Sequence, residues 1–286
     1  MPNATVVKPA NLKALWKLLP SISPKRKYLA GGTDLVTRAN AGLDTAEIWV
    51  DISDLKELRG IRETGTAVII GAGVRISELG GSRLVSRWLP VLYAAIPHFA
   101  SPSLRNMATI GGNAANASPC SDGACALCAE KAWIWLELKG KRRKLPLSAF
   151  FKGPKKTVLK KDELVTAFEI PKWKHVGAYL KLGPRAYFGI SKVSVAAALE
   201  MDGGRVKTAS IALASVAPVP LLARKTADYL AGRILNEENA RTAAALVKAE
   251  VSPITDIRSE AAYRREMAGV LLERALGRIG RRGENL

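Results

Sequence analysis

The chain has little cysteine and histidine, and it lacks any long apolar run. Three cysteines and two histidines occur in 286 residues. An odd number of clustered thiols argues against a disulfide framework, and structural zinc or iron–sulfur sites usually take four ligands. No apolar segment approaches the roughly 20 residues that a membrane-spanning helix needs. We therefore expect neither a disulfide-stabilised domain nor a transmembrane protein.

The three thiols, Cys120, Cys125 and Cys128, lie close together among small apolar residues. A metal there would need further ligands, which His98 and His175 could supply only if folding brought them near. Small side chains between positions 124 and 129 favour a buried helical segment instead. We predict such a helix and no bound metal.

Acidic residues are also scarce, with 25 Asp and Glu against 44 Lys and Arg, which gives a net charge of +19. Such an excess suits nucleic acid, an anionic cofactor or an acidic partner. The basic clusters at 139–144 and 152–161 are predicted hairpin turns, and the cluster at 278–282 ends a predicted helix. We interpret the basic excess first as a solvated basic surface. Docking of a partner is the second interpretation, and binding of nucleic acid is the third.

Length and hydropathy indicate a globular protein. Hydrophobic residues make up 48% of the chain and mean hydropathy is +0.04, so a sizeable core is available. The segment from Met1 to Lys8 lacks the basic-then-apolar pattern of a secretory signal. We expect a cytoplasmic protein of two or three domains.

Hydrophobic periodicity divides the chain into three segments, 1–55, 56–172 and 173–286. The first reads as a β-turn-helix-β unit and the second as strands mixed with short helices. The third reads as three antiparallel strands, with a hairpin turn at Asp202-Gly203-Gly204, followed by two helices. The predicted elements are helices at 11–19, 35–41, 76–79, 89–99, 122–131 and 260–278, with another beginning at Arg224, and strands at 28–30, 48–52, 67–71, 133–138, 143–147, 164–170, 178–182, 191–201 and 205–214.

Two glycine turns carry the clearest chemistry. The first spans residues 29–35, with Gly31-Gly32 before Thr33, and the second is Thr109-Ile110-Gly111-Gly112-Asn113. Glycine permits positive φ and close approach of the backbone to a ligand, and successive exposed N–H groups bind anions. Two such turns suit the two sides of one pyrophosphate.

Each turn alone is weak evidence for a site, because a Gly-Gly pair is typical of ordinary tight turns. The G-x-G-x-x-G spacing of a Rossmann unit is absent, and so is the Walker pattern. Neither NAD nor ATP is required by the sequence.

In context the turns become specific. Residues 29–35, residues 105–122, Tyr179-Leu180-Lys181 with Arg185, and Asp256-Ile257-Arg258 with Tyr263 follow each other along nearly the whole chain. These blocks resemble the FAD-binding medium subunits of the molybdenum hydroxylases, such as carbon monoxide dehydrogenase, xanthine dehydrogenase and 4-hydroxybenzoyl-CoA reductase. The resemblance implies an α+β fold: a two-subdomain, PCMH-type FAD-binding domain followed by a C-terminal domain with a three-stranded antiparallel sheet and helices.

The resemblance also implies the FAD contacts. The two turns would hold the pyrophosphate, while Phe99, Asp122, Val165 and Lys181 would lie against other parts of the cofactor. From the residues alone, Phe99 and Val165 are equally typical of a core, Asp122 of a helix cap and Lys181 of a solvated strand. The implied set is Leu29, Ala30, Gly31, Gly32, Thr33, Asp34, Leu35, Phe99, Thr109, Ile110, Gly111, Gly112, Asn113, Asp122, Val165 and Lys181.

The function that the resemblance implies is electron transfer within a larger enzyme. Electrons from a molybdopterin-binding large subunit would pass through the [2Fe-2S] clusters of a small subunit to FAD here, and then to NAD, a quinone or another acceptor. One alternative is a stand-alone PCMH-type flavin oxidase, and another is a basic nucleic-acid-binding or scaffold protein.

The sequence departs from the family pattern in three places. Ser103-Leu104 precede Arg105 where the family often has glutamine, and Phe188-Gly189 stand where an acidic residue is common. The second change leaves the preferred electron acceptor open. No cysteine lies between Phe150 and Leu164, so we do not expect the additional iron–sulfur cluster of the benzoyl-CoA-type relatives.

Overall fold

Three larger β-sheets and one two-stranded sheet, with helices packed against them, form the part of the chain that the computed structural model describes, residues 4–185 and 188–283. The outermost residues of the segments 1–55 and 173–286 lie outside the described residues. Within those described ranges, no helix has both the length and the apolarity needed to cross a bilayer. The arrangement confirms the α+β class.

The first sheet is small and parallel, with strand order β1-β3-β2. It confirms the predicted β-turn-helix-β unit and adds an N-terminal strand that the sequence pattern did not reveal. Asn11 caps the first helix by accepting a hydrogen bond from the Ala14 N–H at 2.8 Å. The elements are β1 (Thr5–Val7), α1 (Leu12–Leu18), β2 (Arg26–Leu29), α2 (Leu35–Asn40) and β3 (Ile48–Asp51).

The second sheet is antiparallel, with order β4-β5-β10-β6-β7, and helices cover one of its faces. The predicted basic hairpin is confirmed, and Lys139 and Gly140 both take the positive φ of its two-residue turn. The elements are β4 (Ile61–Glu63), β5 (Ala67–Gly71), α3 (Ile76–Gly80), α4 (Arg83–Trp88), α5 (Pro90–Ala95), α6 (Pro102–Met107), α7 (Ile110–Ala115), α8 (Asp122–Ala129), β6 (Trp133–Leu138), β7 (Lys141–Pro146), β8 (Phe151–Gly153), β9 (Lys156–Thr157) and β10 (Leu164–Pro171).

The third sheet has four strands, one more than predicted, because a two-residue strand pairs with the edge of the expected three. Within the described part of the C-terminal segment, three helices follow where we predicted two. The missed helix, α10, has few large apolar residues, but Asn236 caps it and accepts from the Asn239 N–H. The elements are β11 (Val176–Leu182), β12 (Val193–Asp202), β13 (Arg205–Ala214), β14 (Leu221–Leu222), α9 (Arg224–Leu230), α10 (Glu237–Glu250) and α11 (Ala261–Gly283).

Strand β12 is buried on both faces and separates two cores. Its larger residues, such as Val195 and Leu199, join the core formed with α10 and α11. Its alanines, such as Ala196 and Ala198, join the core that contains α8. All eight residues of α8 are buried, which confirms the predicted buried helix at the cysteines. Small side chains on both surfaces let this helix lie close to the sheet.

A buried contact between a carboxylate and an imidazole ring connects the second and third sheets. The Glu130 carboxylate accepts hydrogen bonds from the Val91 and Leu92 N–H groups at the start of α5, at 2.8 and 3.3 Å. Its other oxygen lies 2.9 Å from His175 Nε2, and both side chains are at most 1% exposed. His175 Nδ1 lies 2.9 Å from the Trp173 carbonyl, which can only accept. The histidine that precedes β11 is therefore tied to α5 and α8.

Replacing Glu130 with alanine should destabilise the protein by about 3 kcal/mol or more, because it leaves two helix N–H groups buried without an acceptor and a cavity beside the buried His175 ring. Urea unfolding followed by circular dichroism measures the change. The control is Glu237→Ala, which removes an exposed pair with Arg241 on α10 and should leave the unfolding midpoint almost unchanged. Equal midpoints for the two variants would contradict the structural role of Glu130.

Candidate functional site

The first glycine loop joins β2 to α2 and presents a series of backbone N–H groups. Within the described ranges, the N–H groups of residues 31–35 have no hydrogen-bond acceptor. Gly32 has φ +71°, a conformation that lets successive N–H groups turn into one concavity. An anion such as phosphate can satisfy these donors together. The loop therefore has the geometry expected for the first turn.

Gly31 has no space for a side chain. A Cβ at this position would lie 2.0 Å from the carbonyl oxygen of Met107 and 3.0 Å from the Ala108 Cα. The loop from the first sheet therefore packs directly against the segment that precedes α7. This contact brings the two glycine-containing segments together, although about seventy residues of sequence separate them.

The second glycine segment is the start of a helix. Thr109 caps α7, and its hydroxyl oxygen accepts from the Gly112 N–H at 3.1 Å. The Ile110 and Gly111 N–H groups donate to the carbonyls of Val74 and Ala72, at 3.0 and 2.8 Å. Our expectation of a second tight turn with exposed N–H donors is therefore wrong, since the segment that follows β5 already accepts from these groups.

The second segment can offer a ligand an exposed glycine, which allows close approach to the backbone, and two polar side chains. Gly112 is exposed, while the side chains of Thr109 and Asn113 carry the polar groups. Gly111 is buried, and a Cβ there would lie 2.6 Å from the Ala72 Cβ, so this glycine serves packing. Ile110 belongs to the core. Direct contact of this segment with a cofactor stays a prediction.

Asp34 at the end of the first loop is held by two groups from the second sheet region. Its Oδ1 accepts from Asn116 Nδ2 at 3.1 Å and from Lys155 Nζ at 3.3 Å. Lys155 lies in the turn between β8 and β9, with φ 60°. The carboxylate therefore organises the loop and has a cationic neighbour, which reduces its repulsion of a phosphate.

A second cluster lies beyond α7. The Ser121 hydroxyl donates to Asn113 Oδ1 at 2.7 Å and also caps α8. Asp122, the first residue of α8, accepts from the Tyr179 hydroxyl at 2.5 Å and from Lys181 Nζ at 2.7 Å. Because Ser121 fills the capping position, the Asp122 carboxylate is free to pair with β11.

Burial dominates the electrostatics of this cluster. Desolvation raises the pKa of Asp122, and Lys181 and Tyr179 oppose that rise. Desolvation and the neighbouring carboxylate raise the pKa of Tyr179, so its hydroxyl remains a donor. Desolvation also lowers the pKa of His98, which favours the neutral ring. The cluster thus places the salt bridge between Asp122 and Lys181 beside two groups whose pKa shifts favour their neutral forms.

Four further residues that were predicted to contact the cofactor contribute mainly to packing in the structure. Phe99 is partly buried and lines a small apolar cavity with Ile110 and Gly123. Val165 on β10 is 6% exposed and lies in the same core. Leu29 ends β2, and Ala30 packs against the core of the first sheet. The cofactor contacts predicted for these four residues stay predictions.

The cysteines are arranged for packing. Cys125 and Cys128 are buried in α8, and Cys120 is half-buried. The Cys125 thiol donates to the Ala212 carbonyl at 3.5 Å. Burial raises the pKa of Cys128 to about 12, so its thiolate form is disfavoured.

Sequence reasoning missed four participants: Asn116, Lys155, Tyr179 and the carbonyl of His98. Asn116 could have been found, since it lies one helical turn after Asn113. Tyr179 lies two residues before Lys181, the spacing that places both side chains on one face of a strand. Lys155 and His98 join the site through long-range contacts that no local pattern marks.

These residues form one continuous series of contacts, from the donor loop at 31–35 through α7 and Ser121 to the ion pair on β11. An anion-binding loop at one end and a polar cluster at the other suit an extended cofactor with a phosphate group. The fold and the site thus define a cofactor-binding protein of the dinucleotide type.

Comparison with known proteins identifies the family. Residues 2–173 match the family described as the FAD binding domain in molybdopterin dehydrogenase. Residues 178–279 match the CO dehydrogenase flavoprotein C-terminal domain. The chain belongs to the FAD-binding medium subunits of the molybdenum hydroxylases, and it is accordingly an FAD-binding subunit of an oxidoreductase.

Individual relatives agree over the full length. The chain is 36% identical to the carbon monoxide dehydrogenase medium chain of Afipia carboxidovorans, over 97% of each chain. It is 30% identical to the xanthine dehydrogenase FAD-binding subunit of Escherichia coli O157:H7, over 89% of this chain and 88% of that one. A solved Cu,Mo-CO dehydrogenase, in its cyanide-inactivated form, superposes with a TM-score of 0.93 at 35% identity, over 98% of each chain.

Gly31→Ala should weaken FAD binding at least tenfold, because the added Cβ forces the loop away from Met107 and disperses its N–H donors. Titration of the apoprotein with FAD, followed by flavin fluorescence, measures the affinity. The matched control is Gly65→Ala, where a Cβ meets no atom within 4 Å, and this variant should bind like the wild type. Unchanged affinity in Gly31→Ala would show that the loop does not hold the cofactor.

Proposed function

We propose that this chain is the electron-transfer flavin subunit of a molybdenum hydroxylase complex, which operates with a molybdopterin-binding large subunit and a [2Fe-2S] small subunit. FAD would accept electrons from the clusters of the small subunit and deliver them to NAD, a quinone or another external acceptor. The similarity to medium chains of carbon monoxide dehydrogenase, over nearly the whole length, supports this assignment.

The donor loop at residues 31–35 is the observation that carries the proposal. Its N–H groups have no acceptor among the described residues, and Gly31 fixes the loop against Met107. The chemistry of the donors suits the FAD pyrophosphate, and Lys155 adds a cation at the same end. The chain's own groups bind, orient and partly desolvate the cofactor, while the cofactor supplies the redox chemistry.

The polar cluster formed by Asp122, Tyr179 and Lys181 is where we place the flavin ring system. Lys181 and Asp122 have side-chain exposures of about one tenth, so they are sheltered yet reachable from the site. A cation beside the carbonyl end of a flavin ring stabilises the negative charge that reduction adds. With this division of roles, residues 1–55 and 56–172 form the two FAD-binding subdomains and residues 173–286 form the C-terminal domain.

Purified chain reconstituted with FAD should bind one flavin per chain and show the visible flavin absorbance. Reduced [2Fe-2S] small subunit from the same complex should then reduce the bound flavin, as followed by stopped-flow bleaching of that absorbance. Apoprotein that takes up no flavin would contradict the proposal. Flavin uptake together with oxygen-consuming alcohol turnover by the isolated chain would show a stand-alone oxidase instead.

A further inference from the structure

We propose that Tyr179 is a positioning residue for the bound flavin, acting through Asp122 to fix the ammonium group of Lys181. This inference rests on the proposed function, because it concerns the ring end of the same site. Tyr179 belongs to one of the sequence blocks that carry the family resemblance, but it is not among the cofactor contacts that the resemblance implies. The geometry of three hydrogen bonds carries the argument.

The first step concerns Lys181 itself. Its ammonium group has three N–H donors, of which one donates to Asp122 Oδ2 at 2.7 Å and one to the His98 carbonyl at 2.9 Å. No acceptor for the third donor is found in residues 4–185 or 188–283. Two fixed acceptors define where the third N–H points, so the lysine is a directed donor and not a mobile charge.

The second step concerns what holds Asp122. Its other oxygen accepts from the Tyr179 hydroxyl at 2.5 Å, a short charge-assisted bond. Without that donor, one carboxylate oxygen would be buried and unsatisfied, and the carboxylate could rotate toward another partner. The position of the acceptor for Lys181 therefore depends on the tyrosine.

The third step concerns the rigidity of Tyr179. The side chain is 2% exposed, its backbone pairs with Ala196 of the neighbouring strand β12, and its ring centroid lies 5.8 Å from that of the His98 ring. Tyr179 and Lys181 lie on the same face of β11, so one strand presents both donors to Asp122. The rigid core thus determines the direction of the remaining Lys181 N–H.

The charged and titratable groups facing Asp122 all belong to this arrangement. Tyr179 and Lys181 face it from β11, His98 from the segment after α5, and Cys125 lies one turn further along α8. A simpler interpretation is that Tyr179 merely fills the core and satisfies its hydroxyl. The two interpretations differ in whether the tyrosine affects a bound flavin only when Lys181 is present.

The test is a double-mutant cycle on the FAD-loaded chain, with the flavin midpoint potential as the readout. Tyr179→Phe should make the two-electron potential about 30 mV more negative, equivalent to a tenfold loss of preference for reduced over oxidised flavin. Lys181→Met should shift it further in the same direction. In the Lys181→Met background, Tyr179→Phe should cause no additional shift.

The matched control is Tyr229→Phe, which removes a hydroxyl that donates to Asn239 at 2.8 Å on the far side of the third sheet. It should leave the potential unchanged. Additive shifts in the double mutant, or no shift in Tyr179→Phe, would show that the tyrosine has only a structural role.

If Tyr179→Phe does not fold, Asp122→Asn provides the second variant. This variant retains an acceptor for the tyrosine and removes the charge that holds the ammonium group of Lys181. We therefore expect the flavin midpoint potential to become more negative, and we expect this shift to vanish in the Lys181→Met background. Loss of flavin from both Tyr179→Phe and Asp122→Asn, while wild type keeps it, would also overturn the inference. Failure of the wild-type chain to bind FAD would instead refute the proposed function.

Discussion

The close approach of Gly31 to the Met107 carbonyl is the constraint on which the site depends. It allows a loop that follows a strand of the first sheet to reach the segment before α7, a helix that contacts β10 of the second sheet. Hydrogen bonds from Asn116 and Lys155 to Asp34 then fix the far end of the loop. The N–H groups of the loop, which have no acceptor in the described part of the chain, lie between these two attachments, so the donor loop is ordered before any anion arrives.

The other end of the site is positioned by small residues. A Cβ at Gly177 would lie 2.4 Å from Val91 Cγ2, so β11 can approach α5 only because this residue is glycine. The alanines of β12 let α8 lie equally close to the sheet, and the buried contact of Glu130 with His175 joins these elements immediately before β11. Together they place Tyr179 and Lys181 opposite Asp122, at a distance that a hydrogen bond can span.

Sequence patterns predicted the parts that local chemistry determines. The strand, glycine loop and helix at the N-terminus, the basic hairpin and the buried cysteine helix could be predicted, because turn residues and side-chain size act over a few positions. Helix α10 was missed, because alanine-rich segments have a weak apolar stripe. The second glycine segment was misinterpreted because its N–H groups bond to Val74 and Ala72, which lie over thirty residues away.

The same limit applies to the candidate site. The family resemblance supplied Asp122 and Lys181, but no pattern indicated that Tyr179 connects them or that Lys155 reaches Asp34. Such contacts depend on which strand faces which helix, and this follows from packing of the whole domain and not from local spacing. Polar residues that complete a site from a second element are therefore the ones that sequence reasoning is least able to find.

The excess of basic charge has a clearer meaning once the pairs are known. Carboxylates around the site are matched to cations, Asp34 with Lys155 and Asp122 with Lys181. Acidic groups that would repel an anionic cofactor are thus neutralised locally, while most of the net charge of +19 remains distributed over the rest of the molecule. A field of that sign accelerates the encounter with an anion at long range, and the uncharged N–H groups of the loop then provide the directional contacts. Attraction and recognition are therefore assigned to different parts of the chain, so surface charge can vary without altering the geometry of the site.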